Sequence, residues 1–132
     1  MTTVATSTGA RSAIRWGRII GLAFALEAAL FAVLLPIQPL MSKTAWVACV
    51  TIACAAFGLA TGWVCARGLA SRAVLHGALT GALATIIYLL INVSAGGIGA
   101  AAAFYGWPLF VVLNALRIAG CTAGAALPQT RA

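Results

Sequence analysis

The stretch that decides the fold is IIGLAFALEAALFAVLLPIQ, residues 19–38. Glu27 is its one charged side chain. A run of about 20 apolar residues, at 1.5 Å rise per helical residue, crosses the roughly 30 Å hydrocarbon core of a bilayer. Three further runs match it: Ala45 to Ala66, Ala73 to Ala95 and Trp107 to Leu127. The composition points the same way. Of 132 residues, 64% are hydrophobic and 7% charged, whereas a soluble domain is about 45–50% apolar and about 25% charged. So few charges cannot cover so much apolar surface in water. The expected fold is therefore an all-α integral membrane protein, an antiparallel bundle of four transmembrane helices.

The breaks between the runs have local causes. Pro36 and Pro39 are expected to end the first helix, because proline lacks an N–H and clashes with the preceding turn. Ser42-Lys43 predicts a short hairpin, and Arg67-Gly68 to Arg72 the second connection. Gly96-Gly97-Ile98-Gly99 stops the third helix. Pro108 suits the first turn of the fourth, where its missing N–H costs nothing, and Pro128 closes it. Residues 96–106 form the longest connection and are rich in Gly and Ala. They are expected at the membrane surface as a short helix. The alternative is a re-entrant loop, which needs protein or water around its backbone. The first run predicts a retained span and not a cleaved signal peptide, being long, interrupted by Glu27 and followed by no small-x-small site. Residues 1–15 then read as a flexible cytoplasmic tail, 16–128 as one transmembrane domain, and 129–132 as a short cytoplasmic tail.

Basic residues set the expected orientation. Arg11, Arg15, Arg18, Arg67, Arg72 and Arg131 share one side of a four-span arrangement, and Lys43 stands on the other. Both termini are thus expected in the cytoplasm, with the chain multi-pass in a plasma (inner) membrane. Trp16 and Trp63 fall near the inner interface, and Trp46, Tyr105 and Trp107 near the outer one, as aromatic belts do.

Counting excludes most chemistry. The net charge of +7 does not signal nucleic acid, because the eight Lys and Arg are scattered singly and most of them flank apolar runs. Cys49, Cys54, Cys65 and Cys121 lie inside those runs, where free cysteines serve as small packing residues. One His and one carboxylate leave little to build a metal site or a paired acid and base. No phosphate-binding glycine loop precedes a helix. No enzyme and no cofactor are expected, and the expected partners are the lipid bilayer and a second copy or a larger membrane complex.

Small residues at four-residue spacing offer close helix contact in lipid, where apolar burial alone gives little. Such sets are Cys54, Gly58 and Gly62 in the second run, Gly77, Gly81 and Thr85 in the third, and Gly120 and Gly124 in the fourth. They are expected to join helices within one bundle, with a subunit interface as the alternative.

Two charges stand inside the spans. Glu27 lies eight residues into the first run, about 12 Å deep, and Arg117 ten residues before Leu127, about 15 Å from the same side. An unpaired charge at a helix centre costs about 2.5–3.5 kcal/mol on insertion scales, so the two are expected to pair. Asn114, Arg117, Cys121 and Gly124 share one helix face, and Asn114 can offer a donor and an acceptor to the charges. His76, one turn into the third run, is expected to bond backbone or water near the inner interface, a pH-sensing role being the alternative. Asn92 and Ser94 are expected to bond local backbone, and Tyr88 to offer a hydroxyl to the interior.

The expected function is that of a non-catalytic structural, scaffold or accessory subunit, held by the Glu27–Arg117 pair. The alternative is a small oligomeric proton- or ion-coupled transporter or channel using Glu27. Length, four spans and a single Glu in the first are similar to small multidrug-resistance transporters, at the level of architecture. That resemblance implies transport by an oligomer with Glu27 as the coupling carboxylate.

Overall fold

A long apolar segment satisfies its backbone polar groups internally as an α-helix. The computed structural model, which describes residues 13–69 and 71–128, follows that rule. The helices are α1 (Trp16–Ile37), α2 (Lys43–Ala66), α3 (Ala73–Ser94), α4 (Ile98–Tyr105) and α5 (Trp107–Ala126), with one 3-10 turn at Gln38–Leu40. There is no strand among the described residues. Four helices, α1, α2, α3 and α5, are long and apolar enough to cross a membrane. The fold is consistent with a helical membrane bundle. Most of the expected N-terminal tail and all of residues 129–132 lie outside the described residues.

Helix ends follow the sequence with one correction. Pro36 does not end α1 but sits in its last turn. Only the bond to a carbonyl four residues back is lost there, and the helix stops one residue later. Residues 96–106 contain the expected short helix: eight of them form α4, whose Ala102 is fully buried. Gly97 and Gly106 flank that helix with φ of 92° and 81°, a region that glycine enters without steric cost. Ser42 caps α2 by accepting from the Ala45 N–H at 3.3 Å.

Packing centres on α5, which lies mainly against α2 and α3, while α1 packs on α3 and α2. The small residues make the α5 contacts. Gly58 faces Gly120, so that a Cβ on Gly58 would stand 3.3 Å from the Gly120 Cα. A Cβ on Gly62 would meet the Cys121 backbone, and one on Gly124 the Leu59 backbone. Gly77 and Gly81 bring α3 onto Cys121, Ala125 and Ile118 of α5. Backbones this close gain dispersion contacts that lipid cannot match. The interior between α1, α2, α3 and α5 is filled by Leu26, Leu30, Val50, Ala84 and Leu113. Large apolar side chains such as Ile52, Leu90 and Val111 remain exposed on the outside, each at least 60%. An apolar surface of that kind marks a contact with lipid or protein.

At one end of the bundle, basic residues knit the helix termini together. Arg18 donates to the carbonyls of Arg67, at 2.6 Å, and Val64. The Arg67 guanidinium lies 4.1 Å from the centre of the Trp63 ring. At the other end, Trp46 lies in the first turn of α2. It is buried, and its indole N–H donates to the Tyr105 hydroxyl at 3.2 Å. The partner explains the burial, since a buried indole needs an acceptor.

Candidate functional site

Glu27 sits on the inward face of α1 with Ala23, Leu26, Leu30 and Leu34. Their three- and four-residue spacing puts them on one stripe. Arg117 occupies the inward face of α5 with Leu113, Gly120 and Cys121. The two stripes bring the charges together: Arg117 Nε donates to Glu27 Oε1 at 2.8 Å. The residues are 2% and 4% exposed. The ion pair is therefore buried and contained in one chain. Arg117 also donates from one terminal nitrogen to its own helix, at the Leu113 carbonyl, 3.3 Å away. Its guanidinium carbon lies 4.0 Å from the centre of the Tyr88 ring, a cation–π contact from α3. Three helices thus hold one arginine.

The pair is not fully satisfied. Glu27 Oε2 is buried and makes no hydrogen bond among the described residues. Glu27 is one of the residues that line a cavity of about 270 Å³. The cavity wall follows α1 from Glu27 to Leu35, continues to Gln38 in the 3-10 turn, and is completed by Trp46, Tyr88, Phe104 and Tyr105. Among its lining residues Glu27 and Arg117 are buried, and Gln38, Ala95 and Phe104 are exposed. The short helix α4 supplies part of the wall through Ala101, Phe104 and Tyr105.

Of the other expected site residues, Asn114 is placed differently, while His76, Asn92 and Ser94 bond backbone as expected. Asn114 does not serve the charges: its amide donates to the Phe110 carbonyl at 2.8 Å, and its Oδ1 is buried with no partner among the described residues. An asparagine within a helix finds the carbonyl four residues back more readily than a side chain on another helix. Its own carbonyl accepts from Thr85 Oγ1 at 3.4 Å. His76 is fully buried and bonded to backbone on both sides. Its Nδ1 lies 2.9 Å from the Arg72 carbonyl, and its Nε2 accepts from the Arg15 N–H at 3.1 Å. That pattern fixes the tautomer with the proton on Nδ1 and ties the start of α1 to the start of α3. His76 makes no hydrogen bond to Glu27 or Arg117. Asn92 and Ser94 bond the Tyr88 and Leu90 carbonyls of their own helix, at 2.8 and 3.0 Å.

Tyr88 is the member of the site that sequence reading underrated. Its hydroxyl drew attention, whereas its ring face makes the contact. No family model, curated protein or solved structure matches the chain.

Proposed function

We propose that the chain is a non-catalytic membrane module, a small structural or accessory subunit whose helices are held in register by the Glu27–Arg117 pair. The observation that carries this reading is the occupied carboxylate: Glu27 Oε1 is bound by Arg117 of the same chain. An acid bound in this way, with the arginine further held by Tyr88 and Leu113, is a fixed point of the bundle. The bundle is antiparallel in this reading, with both termini and the α2–α3 turn in the cytoplasm of a plasma (inner) membrane. The basic cluster of Arg15, Arg18, Arg67 and Arg72 at one end supports that orientation. A fluorescent-protein fusion after Ala132 is expected to fluoresce in cells, and an alkaline phosphatase fusion at Ser42 to be active. The reverse pattern contradicts the orientation.

A second reading, a proton- or ion-coupled transporter acting as an oligomer, is favoured by one observation. Glu27 Oε2 has no hydrogen-bond partner among the described residues, and Glu27 is one of the residues that line a cavity. An intramembrane carboxylate is a functional candidate in its own right. Reconstitution separates the two. The purified chain in vesicles holding a pH-sensitive dye is expected to pass protons no faster than protein-free vesicles under an imposed pH gradient. Flux that is present in the native chain and lost in a folded Glu27→Gln, Arg117→Gln double variant overturns the structural reading.

A further inference from the structure

The arginines at one end of the bundle carry charge that the protein does not answer. Arg15 is the N-cap of α1 and Arg72 the N-cap of α3, Arg18 stands in the first turn of α1, and Arg67 is the C-cap of α2. Four cations therefore lie within a turn of the ends of long apolar helices. Glu27 is the only acidic residue in the chain, and Arg117 occupies it inside the bundle. Like charges gathered without a counter-charge repel one another.

Bonds between distant residues hold the cluster in shape. The two ring nitrogens of the buried His76 bond the Arg72 carbonyl and the Arg15 N–H, so a single imidazole separates those two main chains. Arg18 is spent on the Arg67 and Val64 carbonyls, which brings the end of α2 to the start of α1. The other three side chains are free. Arg15, Arg67 and Arg72 are exposed, and none of their guanidinium groups makes a hydrogen bond or ion pair among the described residues. Arg67 rests over the Trp63 ring, a contact that leaves its donors without a protein acceptor.

Depth and charge select the occupant. The ends of spans lie at the level of lipid headgroups. A guanidinium offers five N–H donors in a planar fork that fits phosphate oxygens. Basic residues beside a span attract anionic lipid, about fivefold for each residue. A soluble anion must arrive from water, whereas lipid phosphates already surround the bundle at this depth. The ammonium of a zwitterionic headgroup meets three like charges here, and a glycerol headgroup meets none.

We propose that Arg15, Arg67 and Arg72 form a binding site for the phosphate of an anionic phospholipid, on the frame held by His76 and Arg18. The site rests on reading the four long helices as membrane spans. It does not depend on the Glu27–Arg117 pair or on which side of the membrane the basic end faces. A lipid titration in detergent has no sidedness, so its failure is distinguishable from failure of the fusion or melting experiments.

The test is native mass spectrometry of the full chain in detergent, titrated with dioleoylphosphatidylglycerol or dioleoylphosphatidylcholine. The first phosphatidylglycerol is expected to bind at least about tenfold more tightly than phosphatidylcholine. That preference is expected to shrink as ammonium acetate rises from about 0.1 M to about 0.5 M. An Arg15→Gln, Arg72→Gln double variant keeps both backbone bonds to His76. It is expected to lose about twentyfold or more in phosphatidylglycerol affinity and little in phosphatidylcholine affinity. Lys43→Gln, at the opposite end of α2 from Arg67, is expected to change neither. If the double variant fails to fold, the lipid preference and salt response of the native chain decide alone. A native preference below about twofold, a preference that salt does not reduce, or an equal loss in Lys43→Gln overturns the proposal. Displacement of phosphatidylglycerol by inorganic phosphate or a hexaglutamate peptide at matched ionic strength also overturns it, in favour of a soluble anion.

Discussion

Gly62→Ala and Gly124→Ala are each expected to cost about 3 kcal/mol or more of bundle stability, the upper part of the range for overpacked cores. The reason is what the new Cβ meets. At position 62 it would stand 2.7 Å from the Cys121 carbonyl carbon, and at position 124 it would stand 2.8 Å from that of Leu59. Both obstacles are backbone, so no rotamer change relieves them. The helices must separate along the α2–α5 seam, and the loss spreads to every contact between them. Gly21→Ala is the control, since nothing lies within 4 Å of its Cβ position. There the substitution is expected to be neutral or slightly stabilising through helix propensity. Thermal melting of the three variants in one detergent checks the ordering. Equal melting temperatures would show that the seam is looser than described.

The second large effect falls on the buried charges. Glu27→Gln is expected to destabilise the chain by about 3 kcal/mol, the scale for stranding one member of a buried pair. Arg117 then keeps its charge, because guanidinium does not deprotonate in proteins, and its reach to the bundle end is limited by its place in mid-helix. Arg117→Gln differs in kind. The stranded Glu27 can take a proton and become neutral. Lowering the pH from about 8 to about 5 is therefore expected to restore part of the melting temperature of Arg117→Gln and none of that of Glu27→Gln. The sign follows from which partner can shed its charge. Parallel pH profiles for the two variants would contradict it.

Much of this was legible from residues alone because it depends on length and depth. A helix of fixed rise turns residue number into depth, and so the only acid and the only arginine inside a span could be matched before any packing was known. The ends of the long helices follow from prolines and glycines to within three residues. What escaped depends on rotation about the helix axes and on long-range closure. The Tyr88 ring under Arg117 requires α3 to turn one particular face to α5. The Arg15 to His76 bond joins residues 61 positions apart. Asn114 was drawn toward the charges by its face, yet an amide that reaches its own helix backbone does so from any face. A short helix was expected in the run 96–106, but the run is too uniform in Ala and Gly to show which of its faces turns inward. That helix supplies part of the cavity wall, so the cavity was not legible.

The central claim is that Glu27 and Arg117 stabilise each other within one chain, and a double-mutant cycle measures that directly. Glu27→Gln, Arg117→Gln and the pair together are compared with the native chain by thermal melting at neutral pH. The account predicts two strongly destabilised single variants and a double variant that recovers most of the loss, with a coupling of about 2 kcal/mol or more. Additive effects, or a neutral Glu27→Gln, would contradict it and leave Glu27 as an independent acid within the bundle.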